Sequence, residues 1–171
     1  ATSWEFVDDT HIEMKLRDDV YFNDGAQTPM TAEDVKFTLD MAMDNMVASV
    51  LTGYVQCTVK DEHTIEIETE KYNNEFVQSL ASLPLAIQSK KAYDDGVENP
   101  YYIGTGPYKF DEWVEGEYCR LVKVEDYWGN EIPASENLAP GVAEILEFRP
   151  YIEASSRVMA LQAGEIDVCV N

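Results

Sequence analysis

Polar and apolar residues alternate from Thr10 to Arg17, with Ile12, Met14 and Leu16 on one side, the period-two pattern of a strand that buries one face. After Thr31 the period changes. Val35, Leu39, Ala42, Met43 and Met46 recur at spacings of three and four, which predicts a helix with one apolar stripe whose methionines serve core packing. Val55, Cys57 and Val59 alternate, Asp61-Glu62-His63 supplies a turn, and Ile65 and Ile67 alternate again. Residues 54–69 therefore read as a β-hairpin, with Glu66, Glu68 and Glu70 on its solvent face. Asn73 or Asn74 can cap a short helix carrying Phe76, Val77, Leu80 and Leu83, which Pro84 helps to end. Lys90-Lys91-Ala92-Tyr93 belongs to another short helix.

The polar segment from Asp94 to Pro100 is the best candidate for a boundary. Beyond it, Tyr108 to Trp113 and Tyr118 to Val124 read as two strands around the Glu115-Gly116-Glu117 turn. Asp126 to Pro140 is a long loop containing Gly129, Pro133 and Pro140. Ile145 to Arg149 is a further strand, and residues 154–163 form a helix with Val158, Leu161 and Gln162 before Gly164 at its carboxyl end. Ile166 to Val170 reads as a buried strand by composition. The fold class expected from this order is α+β (mixed α/β), without an internal repeat or a low-complexity tract.

Two local signals stand out near the start. Asn23-Asp24-Gly25 is turn chemistry, with Gly25 free to take a positive φ. Thr31-Ala32-Glu33-Asp34 then opens the helix as a capping box, placing two acids at the positive end of its dipole.

Leu16-Arg17-Asp18-Asp19-Val20-Tyr21-Phe22-Asn23-Asp24-Gly25 followed by Met30-Thr31-Ala32-Glu33-Asp34-Val35 resembles the family 5 solute-binding proteins, the dipeptide, oligopeptide and nickel receptors of ABC importers. Three further blocks agree with that family in order and spacing. They are Gly104-Thr105-Gly106-Pro107-Tyr108-Lys109-Phe110 with Trp113 and Gly116, then Asp126-Tyr127-Trp128-Gly129, and finally Ser155-Ser156-Arg157 with Ala160 to Val168. The resemblance implies a periplasmic-binding-protein-like type II architecture, two lobes joined by a hinge that close on a ligand. It assigns residues 1–96 to an α+β subdomain inserted in the first lobe and residues 97–171 to part of that lobe. On the same correspondence Val170 and Asn171 are the candidate ligand-binding residues, nearest the cleft.

The partners so implied are a small peptide or another small solute, and the permease subunits of an importer. The implied location is extracytoplasmic, in a periplasm or as a cell-surface lipoprotein. Family members are longer and carry a secretion signal, so the chain is expected to be an internal fragment. Much ligand contact in such receptors comes from the second lobe, and weak binding or none is expected of these residues alone.

Composition narrows the partners. A content of 45% hydrophobic and 11% aromatic residues is that of a folded protein, while 12 basic against 33 acidic residues give a formal charge of −21. Such a charge repels phosphate backbones and anionic lipids, so nucleic acid is a poor partner. No stretch approaches the ~20 apolar residues that a membrane-spanning helix requires. Cys57, Cys119 and Cys169 are widely separated, which argues against a metal cluster, and Cys57 and Cys169 read as small buried hydrophobes.

Catalytic chemistry finds little support. The only histidines, His11 and His63, fall in a strand and a hairpin turn, where exposed structural roles are expected, and no nucleophile elbow is present. Gly104-Thr105-Gly106-Pro107 lacks the lysine of a phosphate loop and leads into a strand. Asp19 to Gly25 fails the calcium-loop pattern, since Val20 and Phe22 fall where oxygen ligands are needed. No catalytic residue, metal site or cofactor is expected. The alternatives to a peptide receptor are a receptor for nickel, haem, a sugar or another solute, and a sensory module using the same fold.

Overall fold

The computed structural model describes residues 1–45, 48–132 and 141–170. Two antiparallel sheets organise them. The first contains β1 (Ser3–Phe6), β2 (His11–Lys15), β3 (Tyr54–Asp61) and β4 (Thr64–Thr69), in the spatial order β1-β2-β4-β3. Its register sets Ile12 opposite Ile67, Met14 opposite Ile65 and Cys57 opposite Ile67. Because side chains alternate across a strand, these residues form one apolar layer. Helix α1 (Ala32–Asp44) covers that layer with Val35, Leu39 and Ala42, and Phe76 and Leu85 complete the core. Burying each larger aliphatic side chain there contributes about 1.5–3 kcal/mol. The other face is acidic, with Glu13 between Glu5 and Glu66 on neighbouring strands.

Helix α1 starts with the capping box anticipated from Thr31: the Asp34 Oδ2 oxygen accepts the Thr31 N–H at 2.8 Å and its hydroxyl at 3.0 Å. Its apolar stripe is narrower than the sequence pattern, because Met43 is exposed; Met46 lies outside the described residues. Strand β1 has no counterpart in the sequence reading. Four residues are too few to establish a period, and pairing with β2 creates the strand. Helix α2 is confined to Phe76–Ser79, and Pro84 sits inside the 3₁₀ turn Leu83–Leu85 instead of ending a longer helix. Helix α3 (Lys90–Asp94) starts at Ser89, whose hydroxyl oxygen accepts the Ala92 N–H at 3.2 Å.

The second sheet contains β5 (Tyr108–Val114), β6 (Tyr118–Lys123) and β7 (Ile145–Phe148) in sequential order. Gly116, with φ 76°, turns β5 into β6. Helix α4 (Ala154–Ala163) ends at Gly164, which takes the left-handed conformation and donates its N–H to the carbonyls of Ala160 and Leu161. Ala160 is its buried residue, while Val158 and Leu161 are exposed.

Residues 166–170 do not form the buried strand that their composition predicts. They are irregular chain, with Val168 75% and Val170 78% exposed, and Cys169 is half-buried. Apolar composition alone does not make a strand. Its backbone groups need a hydrogen-bonding partner, and none of the described strands pairs with this segment.

The two sheets share no ladder, and they meet at a joint built from the motif residues. Asn23 donates its N–H to the Gly104 carbonyl at 2.8 Å and its side-chain Nδ2 to the Gly106 carbonyl at 2.7 Å. Trp128 donates its indole N–H to the Thr105 carbonyl between them at 2.7 Å. Beneath lies a small core of Val20, Phe22 and Met30, packed against Ile87, Ile103 and Trp128.

Candidate ligand-facing surface

Val170, the candidate site residue that falls among the described residues, lines an open groove of about 1090 Å³ beside the second sheet. Asn171 lies outside the described residues. The groove runs between β5, β6 and β7 on one side and the segment after α4 on the other, with Trp113, Phe148, Tyr151, Arg157 and Cys169 on its walls. Trp113 and Cys119 are cross-strand partners, as are Cys119 and Phe148, so the two aromatic rings flank one thiol across three strands. Both rings are more than half exposed. Sequence patterning did not single out this aromatic pair, because its members are 35 positions apart by number and are brought together only by the β5-β6-β7 register.

Charge on the groove is localised. Arg157 donates through Nη1 to the Tyr151 carbonyl at 3.0 Å, while its Nε is buried without a hydrogen-bond partner among the described residues. Glu147 accepts from Arg120 at 3.1 Å and also pairs with Arg149. Bonds from Arg149 first, then Arg120, hold its carboxyl below the usual range. Such a surface, apolar with a few fixed polar groups, suits contact with a partly apolar surface or ligand.

A second cavity, of about 750 Å³, opens between the apolar layer of the first sheet, residues 80–87 and Trp128. Its floor is Met14, Leu39, Ile65 and Ile67, and Arg17 stands at its rim with its guanidinium 5.3 Å from the Trp128 ring centre.

Thr10, His11 and Asp8 have the residue types of a hydrolytic triad, but Thr10 Oγ1 at 3.1 Å and the Asp8 carboxylate at 3.0 Å share one ring nitrogen, Nδ1. A relay needs the base to use one nitrogen for the nucleophile and the other for the orienting acid. The trio instead closes the turn between β1 and β2, where Asp8 also accepts the N–H groups of Thr10 and His11. His11 on its strand and His63 in its turn, expected at exposed structural positions, are both half-buried, and His63 Nδ1 is enclosed. Among the described residues, no group of three or more His, Cys, Asp or Glu side chains is placed to hold a metal ion, and no helix is long and apolar enough to cross a membrane.

The model of the bacterial extracellular solute-binding proteins, family 5 Middle, matches residues 1–171. The chain belongs to family 5. Among curated family relatives, YejA of Escherichia coli K12 is 29% identical over 174 residues, covering 98% of this chain and 28% of YejA. The glutathione-binding protein GsiB of the same strain is 29% identical over 160 residues, covering 89% of this chain and 29% of GsiB. The chain thus spans less than a third of the length of these relatives.

Solved structures agree with the fold. The periplasmic binding protein DppA from Helicobacter pylori, in complex with the peptide STSA, superposes with a TM-score of 0.76 at 27% identity, covering 97% of this chain and 36% of DppA. A nickel ABC transporter structure from Bacillus halodurans gives 0.76 at 27% identity, covering 95% of this chain and 31% of its own. The binding protein MoaA from Agrobacterium tumefaciens R10, in complex with mannopinic acid, gives a TM-score of 0.82 at 23% identity over 98% of this chain and 33% of MoaA. That likeness concerns the fold. The two-sheet arrangement therefore has the fold of about a third of the periplasmic binding proteins on which it superposes.

Proposed function

We propose that this chain is part of the solute-capturing receptor of an ABC importer, that the captured solute is a small peptide, and that the receptor works outside the cytoplasm and hands its cargo to membrane permease subunits. The observation that carries the reading is the family match over all 171 residues, taken with the likeness to a peptide-bound DppA at 27% identity. Residues 1–96 are the inserted subdomain and residues 97–171 part of the first lobe, a division supported by a separate sheet on each side of the 94–100 segment. Val170 and Asn171 are the ligand-binding residues on this reading, and Val170 lines the groove together with Trp113 and Phe148. The chain acts by binding and carries no catalytic step.

Nickel is the second reading, since the Bacillus halodurans structure is as similar in identity as DppA. Peptide is preferred because a glutathione-binding protein, whose ligand is itself a tripeptide, stands among the relatives. Both histidines, the usual nickel ligands, also lie away from the groove, His11 in β2 and His63 in the turn between β3 and β4. Thermal unfolding of the receptor that contains this chain distinguishes the two. Di- to pentapeptides should raise the midpoint in proportion to the logarithm of their concentration, while Ni²⁺ and its histidine complex leave it unchanged. The reverse pattern would replace peptide by nickel.

A further inference from the structure

We propose that Asn23 and Trp128 form a clasp that makes the two sheets unfold and move as one body. Three consecutive carbonyls, of Gly104, Thr105 and Gly106, are gripped by three donors from two distant parts of the chain: the Asn23 N–H, the Trp128 indole N–H and the Asn23 side-chain amide. The gripped segment has no large side chain, so its backbone is held by these bonds and not by packing of its own. Immediately after it, the Pro107 carbonyl accepts the Val124 N–H at 2.9 Å, which fixes the entry into β5 against the end of β6. The clasp therefore joins the turn before α1 to both long strands of the second sheet.

Among the described residues, no strand of one sheet is bonded to a strand of the other. The packing across the joint includes the small cluster of Val20, Phe22 and Met30 against Ile103 and Trp128, with the Asn23 amide also 3.5 Å from the Tyr108 carbonyl. Arg17 adds its guanidinium over the Trp128 ring while pairing with Asp19 at 2.6 Å. A joint made of a few directional bonds and a few apolar contacts is one where a single donor matters. Three blocks that the sequence presents as separate words thus act together as a mechanical element. This role concerns the chain itself and holds whether the cargo is peptide or nickel.

Substituting Asn23 by Asp separates the clasp from simple packing. The side chain keeps its shape but turns an oxygen towards the Gly106 carbonyl where the amide donated, so a role in filling space predicts a mild effect and a clasp predicts a severe one. Hydrogen exchange of the 171-residue chain reads the result. Amides of β5, β6 and β7 should exchange at least about tenfold faster in N23D, with those of β2 and β4 within about twofold of the parent. W128F keeps the aromatic packing and removes the donor, and it should move the same amides in the same direction. If N23D does not fold, W128F alone decides. Unchanged exchange in the second sheet, or an equal rise in both sheets, overturns the proposal.

Discussion

The Oδ1 oxygen of Asp34 accepts the backbone N–H of Lys90 at 2.9 Å, while Oδ2 of the same carboxylate accepts the Thr31 N–H. One buried side chain thereby starts both α1 and α3. The neighbouring Thr38 hydroxyl extends the link, donating to the Asp34 carbonyl at 2.8 Å and accepting the Gln88 N–H at 2.9 Å. Removing the carboxylate leaves buried N–H groups without partners. D34A should lose roughly 2–3 kcal/mol of stability in urea unfolding, and D34N less, since one of its two acceptor oxygens survives.

Asp8 and His11 make the first sheet sensitive to pH. Hydrogen bonds from the Thr10 N–H first, then His11, hold the Asp8 carboxyl down to about 2, so its contribution is present above the ordinary carboxylate range and is lost as pH falls from about 4 towards 2. The bond to Asp8 raises His11 above its ordinary value, opposed by desolvation, with the fields of Asp8, Glu68 and Glu66 adding to the rise. A raised histidine stabilises fully below its unfolded value, about 6.5, and that contribution disappears as pH climbs through the higher folded value. An NMR titration of the His11 ring should show its midpoint fall in D8N. A midpoint indifferent to D8N would refute the pairing.

Gly141 lies against the Tyr108 ring so closely that an added Cβ would sit 2.5 Å from Tyr108 Cζ. The ring cannot withdraw freely, because the Tyr108 hydroxyl donates to the Ala143 carbonyl at 2.9 Å. G141A should therefore destabilise by roughly 1–3 kcal/mol, measured by thermal or urea unfolding. In combination with Y108A, which opens the space, the added methyl should cost little.

The three thiols differ in access. Cys57 is buried in the first core, and burial pushes its thiol up to about 12, whereas Cys119 and Cys169 are half-buried beside the groove. An alkylating reagent at pH 8 should label Cys119 and Cys169 in the folded chain and reach Cys57 only after unfolding, as peptide mass mapping would record.

Local chemistry was legible wherever neighbours in sequence decide it. Gly25 takes φ 78°, Thr31 and Asp34 close a capping box, and the 54–69 hairpin turns where Asp61-Glu62-His63 stands. What the sequence hid depends on distant partners. Asn23 and Gly106 are 83 residues apart, and nothing in their local patterns announces a bond between them. Ile166 to Val170 failed for the same reason in reverse: a strand-like composition cannot supply the partner strand. The candidate site was legible only through the resemblance. The fold adds the groove beside Val170, and its Trp113 and Phe148 walls depend on cross-strand register.

Isothermal titration tests the central claim most directly, with one set of di- to pentapeptides injected into the 171-residue chain and into the longer receptor proposed to contain it. Saturable heat from the receptor and none from the isolated chain is the predicted outcome, because on the proposed reading these residues supply scaffold and only one edge of the cleft. Tight, saturable binding by the isolated chain, or no peptide binding by the receptor, would contradict it.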